Sequence, residues 1–178
     1  IALHGNNKSE AEIARAIRNG LGRVVVDSVD ELKLIEDVYA ELAAERAAEG
    51  EEPYAPVPVL IRITPGVHAS THESIATAHE DQKFGMSLQP GTAALAGLEE
   101  AEMEHWGVEA SDSYAALAAV ILNATDSLDF RGIHCHIGSQ IFEAEGFEQA
   151  ATTALEFMNR LNRDLGVTLP ELDLGGGY

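Results

Sequence analysis

Gly132-Ile133-His134-Cys135-His136-Ile137-Gly138-Ser139 is the stretch on which the fold turns. Side chains on a β-strand alternate between its two faces, so Ile133, Cys135 and Ile137 share one face and His134 and His136 the other. One face is apolar, and the other becomes polar toward the strand's end. Gly138-Ser139 then supplies a turn with a hydroxyl and free backbone N–H groups, suited to an oxyanion such as phosphate.

Working outward, the same pattern recurs. Strands are expected at 1–4, 23–27, 59–64, 83–85, 132–137 and 172–175. In the second, Val24 and Val26 oppose Val25 and Asp27; in the third, Val59, Ile61 and Ile63 oppose Leu60, Arg62 and Thr64. Helices fill the gaps. Ser9 and Glu12 have capping-box spacing, and Ser28 and Glu31 repeat it before a helix presenting Leu34, Ile35, Val38 and Leu42. A helical region over 91–124 is broken between Gly107 and Ser113, and one over 144–165 repeats Phe147, Ala151, Ala154, Met158, Leu161 and Leu165. The acidic, alanine-rich stretch at 41–52 reads as a solvated helix end.

Strands alternating with helices predict βα units on a parallel sheet. Apolar faces under helices, with functional groups at the C-terminal ends of strands, fit an α/β fold of the (β/α)8 barrel type. Six strands make a partial barrel, about six of eight βα units; an open doubly wound sheet is the alternative. The opening at Ile1 inside a strand-like stretch and the closing Gly175-Gly176-Gly177-Tyr178 read as cuts through a larger domain, residues 1–178 being its central part.

Composition narrows the function. The chain has 30 acidic and 11 basic side chains in 178 residues, a formal net charge of −19, which disfavours nucleic acid and anionic membranes as partners. Hydrophobic residues are 46% of the total, enough for a packed core, and no run approaches the ~20 apolar residues of a membrane helix. Cys135 is the only cysteine, so a reducing, cytoplasmic setting is expected.

Asp173-Leu174-Gly175-Gly176-Gly177 closes the last strand, one βα unit after Gly138-Ser139. Consecutive glycines remove β-carbons where backbone must approach a ligand or adopt positive φ. Barrels often build phosphate sites from their last two βα loops, so the two segments read as halves of one cup. The Gly-x-Gly-x-x-Gly of dinucleotide folds is missing. His134 and His136 also permit a zinc pair in a barrel hydrolase, or two satisfied core histidines.

His136-Ile137-Gly138-Ser139, Lys83-Phe84-Gly85, Arg62-Ile63 and the Asp173 to Gly177 run resemble, in that order, the fold-type III, alanine-racemase-like enzymes that use pyridoxal 5′-phosphate. His4-Gly5-Asn6-Asn7-Lys8-Ser9, Asp27-Ser28, Thr71-His72-Glu73 with Asp81, and Gln140-Ile141 narrow the resemblance to the diaminopimelate decarboxylase family. It covers essentially the whole chain; only residues 99–113 look longer than usual for the family. The resemblance implies a homodimeric carboxy-lyase making L-lysine from meso-diaminopimelate, with arginine or ornithine decarboxylases as same-class rivals.

The resemblance also implies roles. His136 would stack on the pyridine ring, and Ser139 would hydrogen-bond the cofactor phosphate. Gly175, Gly176 and Gly177 would offer it backbone N–H groups, and Arg62 would lie beneath the cofactor, orienting the polar network around His136. Asp27 would support this network, Lys83 would be structural, and His134 would stand behind His136. No metal is implied. The lysine on which the family forms its Schiff base lies in a Tyr-Ala-x-Lys motif on an earlier strand. Lys8, Lys33 and Lys83 are the only lysines here and none has that context, so no catalytic residue is assigned and the segment alone is expected to be inactive.

Overall fold

A computed structural model describes residues 1–66, 84–138 and 144–176. Six parallel strands run β1 (Ala2–Leu3), β2 (Arg23–Val26), β3 (Val57–Thr64), β4 (Met86–Ser87), β5 (Leu128–His134) and β6 (Glu171–Asp173). The sheet order is β1-β2-β3-β5-β6, with β4 paired to the C-terminal end of β3 through Ile63↔Met86 and Thr64↔Ser87. Helices α1 (Glu10–Arg18), α2 (Val29–Ala48), α3 (Glu100–Trp106), α4 (Tyr114–Ala124) and α5 (Ala144–Leu165) link them, with a 3₁₀ turn at Ala93–Ala96. This is the expected partial barrel.

The expected alternation sets the layers. Val24, Val26, Val59, Ile61, Ile63, Ile133, Cys135 and Ile137 join one core with Ile13 and Ile17 of α1, Leu32, Ile35, Val38 and Leu42 of α2, and Leu117 and Ile121 of α4. Burying each large aliphatic side chain here contributes roughly 1.5–3 kcal/mol. Val25 and Leu60, on the opposite face, are buried as well but stand apart from that helix-covered core.

Several expectations shift by a residue or more. The fourth strand, expected at 83–85, forms at Met86–Ser87, because Gly85 takes a positive φ of 83° and turns the chain before pairing starts. The fifth strand begins earlier, at Leu128, and contains a bulge: Val59 pairs with Phe130 but Leu60 with Gly132. The extra residue, Arg131, thereby reaches Glu171 at 3.1 Å. In α5 the buried stripe is Ala150, Ala154, Phe157 and Leu161, while Phe147, Met158 and Leu165 pack at its margin. The capping box at Ser9 forms in full. At Ser28 only half of it does: Ser28 Oγ accepts from Glu31 N at 3.2 Å, while the Glu31 carboxylate turns elsewhere.

Candidate functional site

Strand register brings four polar side chains into one layer at the C-terminal ends of the strands. Val26 pairs with Ile61, which places Asp27 beside Arg62; Arg62 pairs with His134, and His134 with Asp173. Arg62 Nη1 lies 3.4 Å from Asp27 Oδ1, with 18% of the Arg62 side chain and 6% of the Asp27 side chain exposed. The Phe84 ring covers the guanidinium at 4.9 Å, a cation–π contact. Gly85 permits that cover, since a β-carbon there would sit 3.1 Å from Thr64 Oγ1 and 3.4 Å from Arg62 Cγ. Asp27 therefore supports Arg62 by a direct ion pair.

The two histidines differ as their depth dictates. His134 is buried, and its ring meets His4 edge-on at 5.0 Å. Burial pushes its pKa down to about 4; Asp173 opposes this, while His4, Arg62 and His136 add to it. At neutral pH His134 is an uncharged imidazole, and its buried Nδ1 has no hydrogen-bond partner among the described residues. His136, two residues on, is half-buried at the rim. Between them Cys135 points into the helix-covered core, where burial and Asp173 raise its thiol to about 11, so it is held as an unreactive thiol.

The glycine run lies against this histidine strand. Cys135 N donates to Asp173 O at 2.8 Å, carrying the β5–β6 ladder to the rim. Gly175 has φ +77°, and a β-carbon there would fall 2.5 Å from His136 Nδ1 and 3.0 Å from Cys135 O. Only glycine fits, because it must pass the His136 ring in a left-handed conformation. Gly138 also has a positive φ, 126°, so the two loops leave adjacent strands through glycine turns. Gly176 faces open space, with nothing within 4 Å of where a β-carbon would project.

Gly175 N–H donates to Asp173 Oδ1 at 2.8 Å, which ties the start of the glycine loop back to the end of β6. His136, Arg62, Gly175 and Gly176 share this end of the sheet. Ser139, Gly177, Lys83, the Thr71-His72-Glu73 stretch with Asp81, and Gln140-Ile141 lie outside the described residues. Among the described residues no three His, Cys, Asp or Glu side chains group as metal ligands.

Sequence reasoning missed the use made of Lys8 and Glu31. The Lys8 ammonium is buried and donates to Gly5 O at 2.7 Å, Val25 O at 2.6 Å and Glu31 Oε1 at 2.8 Å. With three donors and three acceptors, it is fully engaged. Lys8 and Glu31 each follow the C-terminal end of a strand at the same rim, and that shared location was the signal that could have paired them. Lys33, by contrast, is exposed and pairs with Glu102 at 3.3 Å. At the opposite end of the strands, Glu171 accepts from Arg23 and Arg131, which hold its carboxyl below the usual range.

The sequence model of one family, described as the pyridoxal binding domain of pyridoxal-dependent decarboxylases, matches residues 1–109 and 99–178. The overlap falls within the stretch that looked long for the family. The chain is 46% identical over 178 residues to diaminopimelate decarboxylase of Corynebacterium efficiens, covering 100% of this chain and 32% of the relative. It is 38% identical over 182 residues to that of Mycobacterium tuberculosis, covering 99% and 33%. A crystal structure of diaminopimelate decarboxylase from M. jannaschii with L-lysine superposes with a TM-score of 0.73 at 26% identity, covering 100% of this chain and 33% of that one. The chain thus spans about a third of the length of these relatives.

Proposed function

Because this chain belongs to the pyridoxal-dependent decarboxylase family, through that family's pyridoxal-binding domain, we propose that residues 1–178 are the central part of a cofactor-binding barrel in a diaminopimelate decarboxylase. The first strands, the cofactor-bearing lysine and a C-terminal β-domain would lie outside these residues, which alone would turn nothing over. The complete enzyme would be a cytoplasmic homodimer converting meso-diaminopimelate to L-lysine. The names of the relatives and the L-lysine complex of the M. jannaschii enzyme support that substrate.

The observation that carries the reading is the approach of Gly175 to His136. A β-carbon 2.5 Å from His136 Nδ1 would fill the rim; its absence leaves a ring, a glycine loop and open space at Gly176 in one place. Those are the parts a flat, phosphorylated pyridine requires, so the residues present fit pyridoxal phosphate. Bound here, that cofactor would supply an electron sink for the pair left when carbon dioxide departs.

The chain's own residues would bind and orient. His136 would present its ring to the pyridine, and Gly176 and Gly177 would donate N–H groups to the phosphate, with Ser139 adding a hydroxyl. Arg62, fixed by Asp27 at 3.4 Å and covered by Phe84, would keep a positive charge beneath the ring. Asp173 would hold the glycine loop in place through the Gly175 N–H. Neutral His134 would back His136 without competing for protons at neutral pH.

The test is turnover by the full-length enzyme supplied with pyridoxal phosphate. Equal amounts of carbon dioxide and L-lysine from meso-diaminopimelate are expected, with little release from arginine or ornithine. Preference for either of those, or metal-dependent hydrolysis in place of decarboxylation, would overturn the assignment.

A further inference from the structure

One connected set of buried contacts ends on the Arg62–Asp27 pair, and its far members, Lys8 and Glu31, have no part in the reading above. Lys8 follows the β1–α1 turn and lies buried, its side chain only 2% exposed. Its charged partner is Glu31 in the first turn of α2, whose side chain is 7% exposed. The other Glu31 oxygen, Oε2, accepts from the backbone N–H of Asp27 at 2.9 Å. Asp27 in turn pairs with Arg62, and Phe84 closes over the guanidinium. The order is therefore Lys8, Glu31, Asp27, Arg62.

Buried ion pairs are poor stabilisers, since well-packed apolar residues often serve as well. What such a pair does provide is one geometry. Here both oxygens of Glu31 are committed, one to an ammonium with no spare donor and one to the N–H of the residue that grips Arg62. Removing the Oε2 contact would leave the Asp27 N–H buried without an acceptor. The backbone at Asp27 would then rotate to find one, and its carboxylate would leave the guanidinium. Ser28 Oγ accepts from Glu31 N at 3.2 Å, which turns it toward the first turn of α2.

We propose that Lys8 and Glu31 are positioning residues that act through Asp27 to hold the Arg62 guanidinium at the cofactor end of the barrel. This rests on the proposed function for the meaning of Arg62, but the mechanical link does not.

The experiment uses the full-length enzyme and the double variant Lys8→Met/Glu31→Leu, which removes both charges at similar volume. Its crystal structure is expected to show Arg62 Nη1 beyond about 4 Å from Asp27, and fluorescence titration to show pyridoxal phosphate bound roughly fivefold more weakly. Placed in an Asp27→Asn background, the same pair of substitutions should change that affinity by less than about twofold, because the link is already cut. A mere structural staple would instead lower the melting temperature equally in both backgrounds and leave the Arg62–Asp27 contact intact where Asp27 is present, and that outcome overturns the proposal. Glu31→Gln is the isosteric second variant. Its one carbonyl oxygen faces two donors, the ammonium takes it, and the same weakening is expected; unchanged affinity and contact would count against the relay. If the wild-type enzyme bound no pyridoxal phosphate, the proposed function would fall, and the Arg62–Asp27 separation in the variants would still decide the relay.

Discussion

Gly175→Ala separates a glycine retained for space from one retained by accident. At φ +77° an alanine suffers a left-handed penalty of about 1–2 kcal/mol. Its methyl would also lie 3.0 Å from Cys135 O, a backbone atom beside the β5–β6 ladder, and 2.5 Å from His136 Nδ1. The backbone cannot yield cheaply, so the His136 ring must swing away. Overpacking of this kind adds about 1–3 kcal/mol, and the reduced freedom of the unfolded chain returns about 0.4–1 kcal/mol. A net loss of about 1–4.5 kcal/mol is expected in urea unfolding of the full-length enzyme, together with roughly tenfold weaker cofactor binding from the displaced ring. Gly176→Ala is the control: nothing lies within 4 Å of its β-carbon, so stability should change by no more than about 0.5 kcal/mol. Equal stability of the two variants, with wild-type cofactor affinity at Gly175→Ala, would show that the His136–Gly175 approach is not what this glycine is for.

Other outcomes follow from the same geometry. Gly132→Ala should split β5 from β6, since its β-carbon would overlap the Glu171 carbonyl oxygen; a loss above about 3 kcal/mol or failure to fold is expected, and a stable variant by thermal melting would contradict the register. His134 has a folded pKa of about 4 against an ordinary value of 6.5, so the unfolded chain binds the proton first. The stability it contributes is complete above about 6.5 and lost as pH falls toward 4, about 3 kcal/mol at most, and urea midpoints measured across that window should drop in wild type more than in His134→Gln. His136→Ala should weaken cofactor binding by up to about tenfold and reduce turnover further, whereas His134→Ala should mainly lower stability by about 1–3 kcal/mol; calorimetry and fluorescence titration on the pair would expose a reversed assignment.

The parts of the fold governed by local pattern were legible in the sequence. Alternation placed Ile133 and Cys135 under helices with His134 and His136 opposite, and the Ser9 capping box marked the start of α1. Boundaries set by three-dimensional pairing were not. Arg131 is extra because β3 and β6 constrain β5 from both sides, which no local pattern records. Glu31 had the spacing of a helix cap, yet the buried ammonium of Lys8, far back in the chain, took one of its oxygens. Arg62 and His136 were expected as site residues from motif resemblance, while Phe84 over Arg62 and Lys8 behind Asp27 through Glu31 required the fold itself. Gly175 is a like case: three glycines announce a loop, and only the folded chain reveals that the Gly175 N–H is donated to Asp173.

A crystal structure of the full-length enzyme with pyridoxal phosphate is the decisive measurement for a cofactor site built from the β5 and β6 loops. It should place the cofactor phosphate within hydrogen-bonding distance of the Gly176 N–H, the His136 ring against the pyridine, and Arg62 still paired with Asp27. A phosphate bound away from the β5 and β6 loops, or a pyridine ring stacked on His134 in place of His136, would contradict it.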